Sequence, residues 1–251
     1  MQNNEKKTSP FYPLAKWFVW LFFKKMDVVG IENLPSSPSL IIGNHAQMNG
    51  PIAAELYLPR NRYTWCAWEM MHLKEVPSYA YRDFWSHKPK WTKPFYKLAS
   101  YLIAPISSFV FNNANTVPVY HDTRVMHTFK DTVRLLQRGN HIVIFPEQAI
   151  PYNHIVYDFQ NGFTDIARLY HKRTKKELCF VPMYIAPSLR KVYLGTPTKF
   201  NSTAPVKQEC ERIRTYLMNE ITNMAVALPK HKVVPYTNIS RSLYPYNKQE
   251  D

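Results

Sequence analysis

A histidine directly follows a short apolar run early in the chain. Leu40–Ile42 is apolar, and the polar turn Gly43-Asn44-His45 comes next. Such a run is typical of a buried strand, and α/β proteins place reactive groups at the carboxyl ends of strands. Imidazole is the usual general base near neutral pH, so this position favours a proton-abstracting role for His45. The alternative is a histidine held in a turn by hydrogen bonds.

A carboxylate occupies an equivalent place later in the chain. The apolar run Ile142–Phe145 is followed by Pro146 and Glu147. Taken alone, this glutamate is a turn residue.

The two patterns together resemble the glycerolipid acyltransferase family, whose best-known members are lysophosphatidate (1-acylglycerol-3-phosphate) acyltransferases. The family carries Asn-His-x4-Asp after one strand and Phe-Pro-Glu-Gly after another, which Asn44-His45 and Phe145-Pro146-Glu147 match. Three weaker landmarks follow the family's order: Pro118-Val119, Phe159-Gln160-Asn161-Gly162 and Val181-Pro182-Met183. The resemblance covers the chain from about Val28 to Pro197.

The resemblance implies an O-acyltransferase that moves an acyl group from acyl-CoA or acyl carrier protein to a hydroxyl of a lysophospholipid or related lipid. It implies that His45 is the general base and that no cofactor or metal takes part. The remaining expected site residues are a catalytic Asn49 and the substrate-binding residues Phe145, Pro146, Glu147, His121 and Arg124.

The chain departs from the family pattern at several positions. The aspartate of the histidine motif is replaced by Gly50, so the expected charge partner of the imidazole is missing. Asn49 or Gln47 can orient only a neutral ring, and Glu55 or Asp122 can replace the acid only if the fold brings them close. The phosphate-binding arginine falls at His121, with Arg124 three residues later; the later lysine is Gln160, and Gln148-Ala149-Ile150 replaces Gly-Thr-Arg.

Composition supports a globular protein that interacts with anions. The chain has 251 residues, 45% hydrophobic, with 32 Lys+Arg against 18 Asp+Glu and a formal net charge of +14. Such a surface attracts phosphates of lipids, nucleic acids or substrates. The six glycines form neither a Rossmann nor a P-loop fingerprint, and no Gly-x-Ser-x-Gly elbow occurs. The three cysteines are widely spaced, which favours free thiols and argues against a zinc site.

Two segments rich in aromatic and basic residues indicate a membrane surface. Phe11–Phe23 predicts a helix of about 20 Å, too short to span a bilayer but suited to lie at its interface. The segment from His87 to Phe111 repeats the combination. Each could instead pack on the protein's own core. We expect a peripheral membrane protein at the cytoplasmic face.

Strand and helix patterns alternate along the body of the chain. They predict an α/β fold with a central mixed sheet flanked by helices and an N-terminal interfacial helix. The expected division is 1–26 for the interfacial segment, 27–228 for the acyltransferase-like domain and 229–251 for a polar tail, wrapped on the surface or partly disordered. Predicted strands are 40–42, 63–68, 117–120, 142–145, 178–185 and 192–194, and predicted helices are 123–138, 162–172 and 204–228.

Two other functions stay open. The first is a relative that binds lipid or acyl chains without catalysis, because Gly50 removes the acid that supports the base. A carboxylate within hydrogen-bond reach of His45 Nδ1 would argue against it. The second is nucleic-acid binding, suggested by the charge and by the aromatic-basic segment Lys88–Lys97, although no nucleic-acid motif accompanies them.

Overall fold

The structure, a computed structural model, describes residues 8–86 and 88–248. Residues 1–7, His87 and residues 249–251 lie outside the described residues; they belong to the expected interfacial segment, the aromatic-basic segment and the tail. The helices are α1 (Tyr12–Phe22), α2 (Asn49–Tyr57), α3 (Val76–Ala80), α4 (Lys93–Asn113), α5 (Val125–Gln137), α6 (Asp165–Thr174) and α7 (Val206–Ala227). The strands are β1 (Asp27–Val29), β2 (Ser39–Gly43), β3 (Arg62–Ala67), β4 (Thr116–Val119), β5 (His141–Ile144), β6 (Glu147–Tyr152), β7 (Tyr157–Phe159), β8 (Cys179–Ala186), β9 (Lys191–Leu194) and β10 (Thr198–Lys199).

The chain divides into two compact units. Among the described residues, one comprises residues 8–23, 65–86 and 88–128, and the other comprises residues 24–64 and 129–248. These units follow packing and not chain order, because β3 leads from the second unit into the first and α5 leads back. The three-part division expected from the sequence stays a prediction.

The second unit is built on a mixed sheet with the order β1-β9-β8-β2-β5-β3. β2 is parallel to both β5 and β8, whereas β8 is antiparallel to β9. All residues of β2, β5 and β8 are buried, so these strands carry continuous apolar runs and not an alternating pattern. The predicted α/β fold with a central mixed sheet flanked by helices is confirmed.

Segments predicted from the sequence appear with ends shifted by a few residues. The predicted helix 204–228 is α7, whose buried stripe includes Ile213, Leu217 and Ile221. The two-stranded antiparallel sheet of β6 and β7 was not predicted. β6 lacks the alternation of buried and exposed residues that predicts a strand, because four of its consecutive residues are exposed.

The C-terminal segment packs within the second unit over its described length. Asn247 is fully buried; its side chain accepts from the His231 N–H at 2.8 Å and donates to the Ala225 carbonyl at 2.8 Å. The Val233 N–H also donates to the Pro245 carbonyl at 2.8 Å. Hydrogen bonds therefore join residues 231–233 to residues 245–247, and Asn247 connects both to the end of α7.

The first unit carries α1, α3, α4 and β4. α1 packs against α4, and the Ser9 N–H donates to the Asn113 side chain at 2.6 Å. Most large apolar side chains of α1 are exposed, as are those of one face of α4. Among the described residues, no helix combines the length and apolar character that crossing a bilayer requires.

Candidate functional site

The parallel arrangement of β2 and β5 brings the two sequence motifs together. Leu40 pairs with Ile142 and Ile42 with Ile144, so both strands end at the same edge of the sheet. Asn44 continues β2 with its side chain: its Oδ1 accepts from the Ile185 N–H at 2.7 Å, and its Nδ2 donates to the Ile185 carbonyl at 3.1 Å. Asn44 thus fixes the path of the chain that leads into His45.

Glu147 is the buried acid of this edge, with 2% of its surface exposed. Its Oε2 accepts from the backbone N–H of His45 at 2.5 Å, and its Oε1 accepts from the backbone N–H of Tyr157 at 3.0 Å. Burial raises the pKa of Glu147 to about 7, although both hydrogen bonds act in the opposite direction. The carboxylate therefore holds the main chain of His45, in a contact separate from the imidazole.

The imidazole of His45 lies between aromatic rings. Its centroid is 5.4 Å from that of Phe145 and 5.5 Å from that of Tyr236, with both rings edge-on. Its Nδ1 is buried and has no hydrogen-bond partner. Burial lowers the pKa of His45 to about 4, with the backbone of Gln47 acting weakly in the opposite direction. The ring is consequently neutral throughout the physiological range.

The turn after His45 explains why position 50 is a glycine. Ala46 and Gln47 have φ of 45° and 54°, and the Gly50 N–H donates to the His45 carbonyl at 3.0 Å. A Cβ at Gly50 would lie 2.3 Å from that carbonyl oxygen and 3.0 Å from the Phe145 ring. Only glycine fits this close approach without a backbone shift.

Neither acidic alternative is hydrogen-bonded to Nδ1 of His45. Glu55 pairs with the buried Arg62 at 2.8 Å, within the second unit. Asp122 belongs to the first unit and pairs with Arg124 at 2.7 Å, an interaction that lowers the pKa of Asp122 to about 2.

The remaining predicted site residues separate into two groups. Phe145, Pro146 and Asn49 lie in the second unit; the Asn49 side chain donates to the Ala46 carbonyl at 2.9 Å, and buried Pro146 accepts from the Gln160 N–H at 2.9 Å. His121 and Arg124 lie in the first unit. There the guanidinium of Arg124 is 4.5 Å from the ring centroids of both Trp68 and Tyr120, and His121 is exposed.

Sequence reasoning did not identify the contribution of the C-terminal segment. Tyr236 contacts the imidazole, the Thr237 carbonyl accepts from Gln47 Nε2 at 3.1 Å, and the Tyr244 hydroxyl donates to Gln47 Oε1 at 3.1 Å. The one available signal was the unusual tyrosine and proline content of residues 229–251. Over residues 8–86 and 88–248, no group of three or more His, Cys, Asp or Glu side chains could hold a metal ion.

Comparison with solved structures finds a likeness at low sequence identity. The structure is similar to the crystal structure of the 1-acyl-sn-glycerophosphate (LPA) acyltransferase PlsC from Thermotoga maritima, with a TM-score of 0.48 and 14% sequence identity, over 86% of this chain and 78% of that chain. No protein-family model and no curated protein matches the sequence. We therefore infer the function from the residues of the site.

A side chain at position 50 should destabilise the protein. Gly50→Ala and Gly50→Asp both place a Cβ against the His45 carbonyl, so each should destabilise by about 2 kcal/mol or more. Gly162→Ala is the matched control, because its Cβ would meet only Phe129 at an ordinary 3.6 Å. Urea unfolding measures all three, and wild-type stability of Gly50→Asp would contradict the geometry of the turn.

The two buried titratable groups should affect stability with opposite signs. The pKa of His45 falls from 6.5 to about 4 on folding, so its contribution is complete above pH 6.5 and is lost as the pH falls towards 4. The pKa of Glu147 rises from 4.5 to about 7, so its contribution is present below pH 4.5 and is lost as the pH rises towards 7. In the wild-type protein, the rise in stability from His45 and the fall in stability from Glu147 largely cancel between pH 4.5 and pH 6.5.

Single variants should separate the two contributions. The stability of the wild type minus that of His45→Gln should rise by roughly 1.4 kcal/mol per pH unit between pH 4 and 6.5. The corresponding difference for Glu147→Gln should fall with a similar slope between pH 4.5 and 7. Urea unfolding across pH 4–8.5 measures both, and parallel stability curves for the wild type and variants would exclude these pKa shifts.

Proposed function

We propose that this protein is an O-acyltransferase that works at a membrane surface. Its donor is acyl-CoA or acyl carrier protein, its acceptor is a hydroxyl of a lysophospholipid or related lipid, and His45 is the general base. The observation that carries the proposal is the meeting of the Asn-His and Phe-Pro-Glu motifs at one sheet edge, joined by the Glu147–His45 hydrogen bond.

The proposed reaction is a direct transfer without a covalent enzyme intermediate. His45 takes the proton of the acceptor hydroxyl, and the oxygen attacks the carbonyl carbon of the thioester. The tetrahedral intermediate then collapses, the carbon–sulfur bond breaks, and the departing thiolate takes the proton from His45. Because Nδ1 is buried, we assign this exchange to Nε2.

The surroundings of His45 suit a neutral ring next to an apolar substrate. Phe145 and Tyr236 provide aromatic contact, and Glu147 and Asn49 fix the backbone on either side of the turn. A base with a pKa of about 4 has little proton affinity, so we expect slow transfer that does not decline until the pH approaches 4.

Acceptor recognition requires a group that contacts the lipid headgroup. Arg124 is a candidate phosphate contact, with His121 three residues earlier, but Asp122 already pairs with the guanidinium in three hydrogen bonds, two at 3.0 Å and one at 2.7 Å. A lipid phosphate would have to displace that carboxylate. A lysophospholipid and a lipid alcohol without phosphate are therefore both worth testing as acceptors.

A second candidate function is supported by the unpartnered Nδ1. An imidazole without a charge partner at Nδ1 cannot stabilise its protonated form as a catalytic base does. Its buried, aromatic surroundings are compatible with binding an acyl chain without turnover. This alternative is a lipid- or acyl-chain-binding relative of the acyltransferases.

The first unit supplies the proposed membrane contact. α1 and α4 pack together and expose large apolar side chains, and the segment from 88 to 113 contains four lysines and no acidic residue. Exposed rings with neighbouring lysines suit the headgroup region of an anionic bilayer. We propose peripheral binding at the cytoplasmic face.

Acyl transfer should depend on His45. Purified protein on vesicles should release thiol from acyl-CoA only when an acceptor is added, and His45→Gln should lower the rate at least a hundredfold. His127→Gln, the same change at an exposed helix position, should keep the wild-type rate. A panel of lysophospholipids and lipid alcohols, with an acyl carrier protein as second donor, covers the open substrates.

The outcomes separate the two candidate functions. Acceptor-dependent release that disappears in His45→Gln supports the acyltransferase. Acyl-chain binding with no release from either donor supports the non-catalytic relative. Full activity in His45→Gln rules out the proposed mechanism.

Vesicle binding should depend on the exposed apolar residues of α4. Phe95 and Leu102 are 68% and 66% exposed, so the double variant Phe95→Glu/Leu102→Glu should bind phosphatidylglycerol-containing vesicles at least tenfold more weakly. Leu73→Glu, at 56% exposure outside both helices, is the control and should bind as the wild type does. Co-sedimentation measures all three proteins, and equal binding would refute this docking surface.

A further inference from the structure

The turn that presents His45 has an uncommon backbone conformation. Ala46 and Gln47 are both left-handed, a region that non-glycine residues rarely occupy and seldom in succession. Such a turn persists only when surrounding contacts hold it. Contacts from other parts of the chain must therefore hold Ala46 and Gln47 in this conformation.

Both ends of the Gln47 side-chain amide are bound by the C-terminal segment. Nε2 donates to the Thr237 carbonyl, and Oε1 accepts from the Tyr244 hydroxyl, each at 3.1 Å. These partners lie 190 and 197 residues away in the sequence. A glutamine bound at both ends fixes the turn much more firmly than one that points into water.

The same segment also contacts the opposite side of the site. The Thr237 Oγ1 is 2.9 Å from the hydroxyl of Tyr157, whose backbone N–H donates to Glu147. Tyr236 lies edge-on to the imidazole of His45. The segment thus contacts the imidazole of His45, the turn that follows His45, and strand β7. In β7, the Tyr157 N–H donates to the same buried carboxylate, that of Glu147, as the His45 N–H does.

The segment is anchored firmly enough for these contacts to matter. At its base, Val233 bonds to Pro245, and the backbone of Asn247 bonds to the His231 carbonyl at 3.0 Å. Buried Asn247 joins this base to the end of α7. Residues 236–244 are therefore a loop closed at both ends, which we call the C-terminal strap.

We propose that the C-terminal strap, acting through Gln47, positions the imidazole of His45 and so takes over the orienting role of the aspartate that Gly50 replaces. This inference rests on the proposed acyl transfer for its catalytic meaning. Gln47, Tyr244 and Thr237 are positioning residues, since they act on His45 through the turn. Tyr236 shields the ring from water directly.

The strap supplies orientation but no charge. Gln47 and Tyr244 are neutral where the family has a carboxylate, so they fix the ring without stabilising an imidazolium. The titratable groups in contact with this arrangement are Glu147, which bonds to the His45 backbone, and the phenols of Tyr236, Tyr157 and Tyr244. Loosening the strap should therefore change the hydration and tautomer of His45 before it changes any charge pairing.

The test measures His45 itself by NMR. In protein labelled with ¹⁵N-histidine, His45→Gln identifies the His45 signals, and the pH titration gives its pKa and tautomer. Tyr244→Phe and Gln47→Leu should let water reach the ring and raise the pKa of His45 by about one pH unit or more towards 6.5. The ring nitrogen shifts should also show a changed tautomer ratio.

Tyr216→Phe is the matched control. It removes a hydrogen bond from a tyrosine hydroxyl of α7 to an amide oxygen, here the backbone carbonyl of Thr196 at 2.9 Å, whereas Tyr244 donates to the side-chain amide oxygen of Gln47. It should leave the His45 titration as in the wild type while causing a comparable loss of stability in urea. If Tyr244→Phe and Gln47→Leu lose stability but keep the wild-type pKa and tautomer, the strap is only structural and the proposal fails.

The kinetic measurement links the strap to the proposed reaction. In Tyr244→Phe, the kcat of acyl transfer should fall about tenfold or more with little change in the KM for the thioester, because the base is misplaced and the donor site is not. An unchanged kcat, with the His45 titration unchanged, rejects the positioning role while the acyltransferase stands. A shifted titration in a protein without turnover rejects the acyltransferase while the hold of the strap on His45 stands.

Discussion

A single buried carboxylate organises the carboxyl edge of the sheet. Glu147 accepts one backbone N–H from the turn after β2 and another from the start of β7. Each hydrogen bond to a charged acceptor contributes roughly 1.5–3 kcal/mol. A rise in pKa from 4.5 to about 7 nevertheless corresponds to about 3 kcal/mol against the charged form. The two backbone hydrogen bonds offset part of the cost of burying the charge, because both lower the pKa of Glu147.

This use of Glu147 limits what His45 can do. Because the carboxylate bonds to the backbone of the histidine, it is not the acid that a catalytic imidazole needs at Nδ1. An acidic side chain cannot occupy position 50 without moving the His45 carbonyl. The turn therefore excludes a charge partner by its shape, and the imidazole stays neutral between Phe145 and Tyr236. The geometry is compatible with a weak base or with an apolar binding site.

The sequence predicted the framework of the site better than its contacts. The buried runs of β2 and β5 predicted two strands that each end at a polar turn, and the structure shows that these strands pair in parallel and bring Asn44-His45 next to Phe145-Pro146-Glu147. Those features follow from continuous apolar runs, which have few alternatives in an α/β protein. The hydrogen-bond donors to the Glu147 carboxylate could not be predicted, because they are backbone N–H groups and the residue types do not indicate which of these face a side chain. The separation of Arg124 from His45 into different compact units also depends on long-range packing that local patterns do not encode.

The C-terminal segment shows the same limit most clearly. Its tyrosines and prolines gave no periodic pattern, yet a hydroxyl and a carbonyl from it bind the amide of Gln47. The need for such contacts follows from the turn itself: two left-handed residues in succession are unfavourable unless the rest of the structure holds them. With this turn in place, a carboxylate side chain does not fit at position 50. The groups that orient the imidazole of His45 must therefore come from elsewhere in the chain. The strap and the absence of an aspartate at position 50 are therefore connected. We propose that a segment distant in the sequence orients the imidazole of His45, a role that a neighbouring aspartate has in the family pattern.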